Sequence, residues 1–290
     1  MQADAAARRF EALRADLPAG SPRAWRFAAL RGLSRAGSLV SEGLRIGYRH
    51  GFDSGPFMAH VYADRPRGRT ALGRRVDRGL LRRPTAQAFR DIRRLAEEAV
   101  LEAIDAHPTP DPVVADMAAG PSPYLVTALA KRPQATAVLC DIDPVALEQA
   151  RAAARAAGVA GRVLTRQASA FDRAALEAFT PRPDIVCELG LYGIYHDDRL
   201  IEGHFADLAE TLAPAQIVCN VQVDNPEIEH IARVWINAQG ERCVWRLRPA
   251  EVIEEWARRA GYELASATAD RHSIYRVMRF TRSSALEVTG

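Results

Sequence analysis

The spacing of apolar residues divides the chain into two parts with different periods. Before residue 108 apolar positions recur at helical spacing, most clearly in Thr85–Ala106, where Ile92, Leu95 and Ala99 fall near one face. After residue 112 short apolar runs alternate with helical segments. The runs predict strands at 113–117, 136–141, 162–168, 184–189 and 216–223.

The segments between these runs have helical patterns. They predict helices at about 122–132, 144–157, 172–179 and 198–212. Such alternation predicts a parallel sheet with right-handed crossovers. A further helix, Pro249–Ala260, is followed by two runs, 262–269 and 273–281, close enough to form an antiparallel hairpin. The fold class predicted is therefore α/β, a Rossmann-like sheet of seven strands.

The first 108 residues lack strand patterns and predict a helical cap. Asp4–Ala15 is one helix, and Ala24–Gly47 is a second region interrupted by Gly32 and Gly37. The stretch 48–68 is rich in turn residues. The proline-rich segment 107–112 predicts a stiff linker, so the domains predicted are a covering region at 1–108 and a ligand-binding domain at 109–290.

Composition narrows the class of protein. A net charge of +3 favours neither nucleic acid nor membrane as a partner, and the eleven arginines between 65 and 94 are interpreted as a solvated face. Four scattered cysteines and no run of 18 apolar residues predict a cytoplasmic protein without disulfides. No His, Cys, Asp or Glu cluster has metal-binding spacing, so no metal is expected. A homodimer is left open.

Polar residues follow the predicted strands at one edge of the sheet. Asp116, Asp141, Ser169 and Glu188 each end a run, and ligands of open parallel sheets bind beyond these carboxyl ends. Gly120 lets the backbone approach a ligand, and a carboxylate at 141 can accept both hydroxyls of a ribose. A three-glycine pyrophosphate loop is absent, so a nucleoside fits better than a dinucleotide.

These residues resemble the class I S-adenosylmethionine-dependent methyltransferases. Asp116-Met-Ala-Ala-Gly120 is similar to that family's first motif, and Asp141 to its ribose-binding acid. The resemblance implies S-adenosylmethionine as cofactor and a small-molecule acceptor. The cofactor-binding residues it implies are Asp116, Ala118, Gly120, Ser122, Tyr124, Asp141, Ile142, Ser169, Ala170, Phe171, Glu188 and Gly190.

A closer resemblance covers residues from about 43 to the end. It is to a group of bacterial methyltransferase-like proteins often fused behind an α/β-hydrolase domain, through Gly51-Phe-Asp-Ser-Gly55, Val61-Tyr62, Gly73-Arg-Arg-Val-Asp77, Gly190-Leu-Tyr192 and the segment 225–233. The chain is also similar to azetidine-2-carboxylate synthases, which have the same fold with a helical cap.

Three residues are candidates for contact with the reacting groups. Tyr192 would place its ring or hydroxyl near the sulfonium, or it closes the core at a strand end. Asn220 would orient a substrate, and Tyr62 would do so from the cap, where it is equally expected as a packing residue.

Two reactions of the cofactor are predicted, with methyl transfer first. The alternative is attack of the cofactor's own α-amine on its γ-carbon, giving azetidine-2-carboxylate and methylthioadenosine, a product of secondary metabolism. The loop Gly120-Pro-Ser-Pro123 motivates it, because two prolines stiffen the path beside the methionine tail, although Pro123 could simply start a helix. A non-catalytic cofactor-binding subunit is a third interpretation.

Overall fold

The main sheet forms from the apolar runs that the sequence pattern identifies. The structure, a computed structural model, describes residues 2–283. Its strands are β1 (Val113–Asp116), β2 (Thr136–Asp141), β3 (Val163–Gln167), β4 (Ile185–Glu188), β5 (Gln216–Gln222), β6 (Tyr262–Ala269) and β7 (Tyr275–Arg282). The order across the sheet is β3-β2-β1-β4-β5-β7-β6, with β1 to β5 parallel and β7 antiparallel to both neighbours. The predicted seven-stranded α/β fold is confirmed.

Helices occupy the segments between the strands and most of the N-terminal region. They are α1 (Gln2–Arg14), α2 (Pro22–Gly37), α3 (Glu42–His50), α4 (Gly55–Ala63), α5 (Ala71–Leu81), α6 (Pro84–Asp105), α7 (Pro123–Lys131), α8 (Pro144–Ala156), α9 (Arg173–Glu177), α10 (Asp198–Asp207), α11 (Ile228–Val234) and α12 (Ala250–Arg259). A 3-10 turn, Ala160–Arg162, precedes β3, and a π-helical turn, Leu208–Leu212, continues α10.

Hydroxyl side chains start the helices of the N-terminal region. Ser21, Ser41, Ser54 and Thr70 each accept a backbone N–H from the first turn of α2, α3, α4 and α5, respectively. Such caps satisfy donors that the first turn of a helix leaves free. The prediction of a turn-rich stretch at 48–68 was wrong for α4, because Ser54 caps a helix there that Pro56 helps to begin.

The chain divides into two units, and the first contains two separate stretches. Residues 1–91 and 224–247 form the N-terminal unit, whereas residues 92–223 and 248–290 form the α/β unit. This division differs from the predicted boundary at residues 108 and 109 because the change of unit falls inside α6 and because 224–247 returns to the N-terminal unit.

Aromatic rings explain why residues 224–247 join the N-terminal unit. Trp235 stacks on Phe52 with ring centroids 4.6 Å apart, and Phe57 meets the same indole edge-on at 6.1 Å. Arg233 donates to the carbonyl oxygen of Ala12, in the last turn of α1, and to that of Ala15, just past its end. The sequence pattern did not predict α11, the helix that contains this arginine.

Candidate active site

The sheet order places a crevice at the carboxyl end of β1. The connection after β1 leads to β2 on one side, and the chain later returns to β4 on the other side. Loops on the two sides of such a switch point diverge, which leaves room for a ligand beyond the strand ends. The predicted site residues after β1, β2, β3 and β4 therefore share one edge of the α/β unit.

Asp116 at the end of β1 is buried and holds the loop that follows it. Its Oδ2 accepts hydrogen bonds from the hydroxyls of Ser122 and Tyr124, both at 2.6 Å, and its Oδ1 accepts the Ala118 N–H at 3.4 Å. Burial raises the pKa of Asp116 to about 6, against the opposing effect of these donors. These four residues, all predicted to bind cofactor, thus form the internal support of the loop.

Gly120 adopts a backbone conformation that leaves its outer side free. Its φ is +51°, and a Cβ built there would meet nothing within 4 Å. Its N–H donates to Asp141 Oδ2 at 2.7 Å, which ties the loop after β1 to the end of β2. The other oxygen, Asp141 Oδ1, accepts the Asp143 N–H at 2.9 Å. Asp141 is only half-buried, so the predicted pair Gly120 and Asp141 meets at an accessible edge.

The residues after β2 and β3 supply apolar surface beside this pair. Ile142 is 61% exposed, which is unusual for a large aliphatic side chain. The Ser169 hydroxyl accepts the Phe171 N–H at 3.2 Å, and Ala170 is buried. The half-buried Phe171 ring packs edge-on against Tyr195 at 4.6 Å.

A carboxylate at the end of β4 is enclosed by two aromatic side chains. Glu188 is 0% exposed, and its two oxygens bind the Tyr192 hydroxyl and His204 Nε2. Burial raises the pKa of Tyr192 well above its ordinary value, and the negative charge of Glu188 adds to the shift. Tyr192 is 1% exposed, so the structure favours the interpretation that it closes the core rather than presenting its ring at the surface.

Asn220 stabilises the loop after β4 through a hydrogen bond. Its Oδ1 accepts the N–H of Gly190 at 2.7 Å, and Gly190 has a φ of +80°. The two predicted site residues are therefore in contact, and Asn220 fixes a turn that requires glycine-like backbone freedom. Tyr62, the third candidate, lies on α4 of the N-terminal unit and is half-buried.

Two residues of this region were not predicted from the sequence. Arg248 is 2% exposed, donates to the carbonyl oxygens of Tyr192 and Tyr195, and pairs with Asp198 at 2.9 Å. Nothing local marks it, because its partners lie about fifty positions away. His204 had a detectable signal, since helical spacing places it on one apolar stripe with Ile201 of α10 and Leu208 of the π-helical turn that follows.

The described part of the chain contains neither a candidate metal-binding cluster nor a candidate membrane-spanning helix. Among residues 2–283 no group of three or more His, Cys, Asp or Glu could hold a metal ion. No helix of that range is long and apolar enough to cross a membrane.

Comparison with known proteins decides the family. The family described as "Putative methyltransferase" matches residues 2–282. The chain belongs to this methyltransferase family. The class predicted from the motifs, S-adenosylmethionine-dependent methyltransferases, is confirmed, and S-adenosylmethionine is the cofactor of that class.

Individual relatives show how far the similarity extends. The uncharacterized protein YnbC of Escherichia coli K12 is 30% identical over 247 residues, which are 83% of this chain but only 42% of YnbC. This chain therefore spans less than half the length of YnbC.

Solved structures share the fold. A protein described as a possible exported protein from Bordetella parapertussis has a TM-score of 0.61 at 18% identity, covering 92% of this chain and all of that one. Magnesium protoporphyrin IX methyltransferase of Synechocystis PCC 6803, solved with bound SAH, has a TM-score of 0.56 at 15% identity, covering 82% of this chain and 99% of that one.

Proposed function

We propose that this methyltransferase binds S-adenosylmethionine across the carboxyl ends of β1 and β2 and transfers its methyl group to a small molecule. The observation that carries the proposal is the contact between Gly120 and Asp141. A left-handed glycine with open space beside it sits hydrogen-bonded to a half-buried carboxylate at the end of the neighbouring strand. An apolar side chain, Ile142, stands exposed directly after that carboxylate.

The residues at this edge fit the parts of the cofactor. Each Asp141 oxygen accepts one backbone N–H and keeps a second lone pair for a ribose hydroxyl. The exposed Ile142 side chain suits one face of the adenine ring, and the backbone of Ala170 is the proposed donor to its edge. Gly120 would leave room for the methionine portion where any side chain would intrude.

The cofactor itself supplies an activated methyl group on a positively charged sulfur. The protein residues then have to hold the methyl donor and the acceptor in line. Orientation of this kind can lower the activation barrier of a transfer reaction substantially. We propose that Asn220 and Tyr192 contribute by fixing the loop after β4, since the oxygens of both already have partners inside the α/β unit. The acceptor is proposed to be a small molecule, as in the magnesium protoporphyrin IX methyltransferase that shares this fold.

Cyclisation of the cofactor is the second candidate reaction, and one of the two prolines that motivated it has another explanation. Pro123 is the first residue of α7, where proline is favoured because that position has no hydrogen bond to lose. The start of the helix therefore explains Pro123 but not Pro121. Cyclisation is kept as one outcome of the test.

The test separates binding from reaction. Titration calorimetry with S-adenosylmethionine should show saturable binding. Absence of binding would contradict the proposed cofactor site. The protein is then incubated with the cofactor alone and with a panel of small hydroxyl, amine and thiol acceptors, and the nucleoside product is identified by mass. S-adenosylhomocysteine formed only with an acceptor supports methylation, whereas methylthioadenosine formed without one selects cyclisation.

A further inference from the structure

Charge is divided unequally between the two units. The N-terminal unit has 21 basic and 12 acidic side chains, a formal charge of +9, whereas the α/β unit has 18 basic and 24 acidic ones, a formal charge of −6. The small total of +3 conceals this difference. A strongly basic unit points to an anionic partner.

The excess is concentrated in one stretch of the N-terminal unit. Residues 65–82, which run through α5, contain seven arginines, all exposed. The one acid in this stretch, Asp77, is 0% exposed and turns inward to His60 and to the backbone N–H groups of Gly43 and Arg67. Asp77 therefore does not neutralise the charge of the exposed arginines in this stretch.

Within residues 2–283, most of these arginine side chains lack acidic partners. Among the described residues no carboxylate pairs with Arg65, Arg69, Arg75, Arg78 or Arg82. Several exposed arginines of the α/β unit do have acidic partners, as Arg132 pairs with Asp105 and Arg259 with Glu202, both at 2.6 Å. A merely solvated arginine face would be expected to carry interspersed acids in the same way.

Two exposed leucines lie among these arginines. Leu39 is 75% exposed and Leu72 is 64% exposed. Their chain neighbours are in close contact, because a Cβ on Gly73 would lie 2.1 Å from the carbonyl oxygen of Val40. The backbone pairing of Ser41 with Gly68 joins the same two segments. We call the exposed side chains of residues 65–78 together with Leu39 the Arg–Leu surface.

We propose that the Arg–Leu surface binds anionic lipid bilayers peripherally. Guanidinium groups without acidic partners suit lipid phosphates, and the two leucines suit shallow insertion between acyl chains. RNA is the competing polyanion. Residues 64–82 contain no aromatic side chain on which an RNA base could stack. Binding of RNA through its phosphates alone would also leave the exposed leucines without a contact. The observations therefore favour the lipid surface.

The test is co-sedimentation of the full chain with vesicles. Vesicles of phosphatidylcholine containing about one-third phosphatidylglycerol should bind it, pure phosphatidylcholine should not, and about 0.5 M salt should release it. The triple variant Arg69→Gln, Arg75→Gln, Arg78→Gln should bind roughly a hundredfold more weakly, about fivefold for each charge removed. The matched variant Arg182→Gln, Arg199→Gln, Arg276→Gln makes the same charge change on exposed arginines of the α/β unit and should stay within about twofold of wild type.

The leucines distinguish a bilayer from a soluble polyanion. Leu39→Ser with Leu72→Ser should weaken vesicle binding about tenfold at unchanged charge, because apolar area no longer enters the bilayer. Fluorescence anisotropy with labelled single-stranded and duplex RNA runs in parallel. Absence of vesicle binding, equal losses in both triple variants, or no effect of the leucine pair overturns the proposal. RNA binding that depends on the arginines alone would assign the surface to nucleic acid instead.

Discussion

Replacing Asp141 tests the proposed cofactor site most directly. In Asp141→Ala both carboxylate oxygens disappear, and with them the two lone pairs proposed to accept the ribose hydroxyls. Hydrogen bonds to a charged acceptor are worth about 1.5–3 kcal/mol net, so the Kd for S-adenosylmethionine should rise roughly 10- to 150-fold. Titration calorimetry on the purified chain measures this change.

The Asp141 carboxylate also supports its own loop, and this effect has to be separated. The N–H groups of Gly120 and Asp143 both lose their acceptor in Asp141→Ala, which should lower the free energy of unfolding by about 1–3 kcal/mol. Urea unfolding without ligand measures that loss.

Asp143→Ala is the matched control. It removes an equally negative side chain two positions later, one that caps α8 by accepting the Val145 N–H at 2.8 Å. It should cost about 0.5–2 kcal/mol of stability and leave cofactor affinity unchanged. Wild-type affinity in Asp141→Ala, or equal weakening in both variants, would refute the ribose assignment.

Three further variants probe the same edge. Gly120→Ala should weaken cofactor binding at least tenfold. Gly158→Ala, also at positive φ with nothing within 4 Å of its Cβ position, should share the loss of about 1 kcal/mol of folding stability but keep wild-type cofactor affinity. Equal affinities of the two variants in calorimetry would contradict the placement of the cofactor beside Gly120. Because burial raises the pKa of Asp116 to about 6, the folded state holds its proton more tightly than the unfolded chain. Wild type should therefore lose about 2 kcal/mol of stability relative to Asp116→Asn as the pH rises from 4 to 6; parallel urea curves over that range would disprove it. Asn220→Leu should cost about 1–3 kcal/mol in thermal unfolding by leaving the Gly190 N–H without its acceptor, whereas Asn220→Asp, which keeps an oxygen, should cost less.

The α/β unit was largely predictable because each of its signals is local. A short apolar run followed by an acid or a small polar residue marks the ends of β1, β2, β3 and β4, and parallel topology then brings these ends to one edge. Gly120 and Asp141 could be placed together for this reason, although their hydrogen bond could not.

The orientation of side chains was not predictable from the same patterns. Asp116 and Tyr124 were expected to face a ligand and instead satisfy each other inside the unit. Glu188 and Tyr192 are buried against each other, with His204 as the third member, and for Tyr192 this core position was one of the two alternatives predicted. An acid at a strand end points toward or away from the crevice according to which hydroxyl or imidazole donors the tertiary fold brings near, and those partners come from other elements.

The two-part construction of the N-terminal unit has a consequence for how the chain matures on the ribosome. Phe52 and Phe57 emerge early, but the indole on which they pack, Trp235, is translated only after the first five strands of the sheet. The early helices therefore cannot complete their core as they leave the exit tunnel and must wait, partly open, for the later stretch to arrive. During that interval their apolar faces are the natural substrate of chaperones, and a fragment that stops before residue 224 would never leave that state.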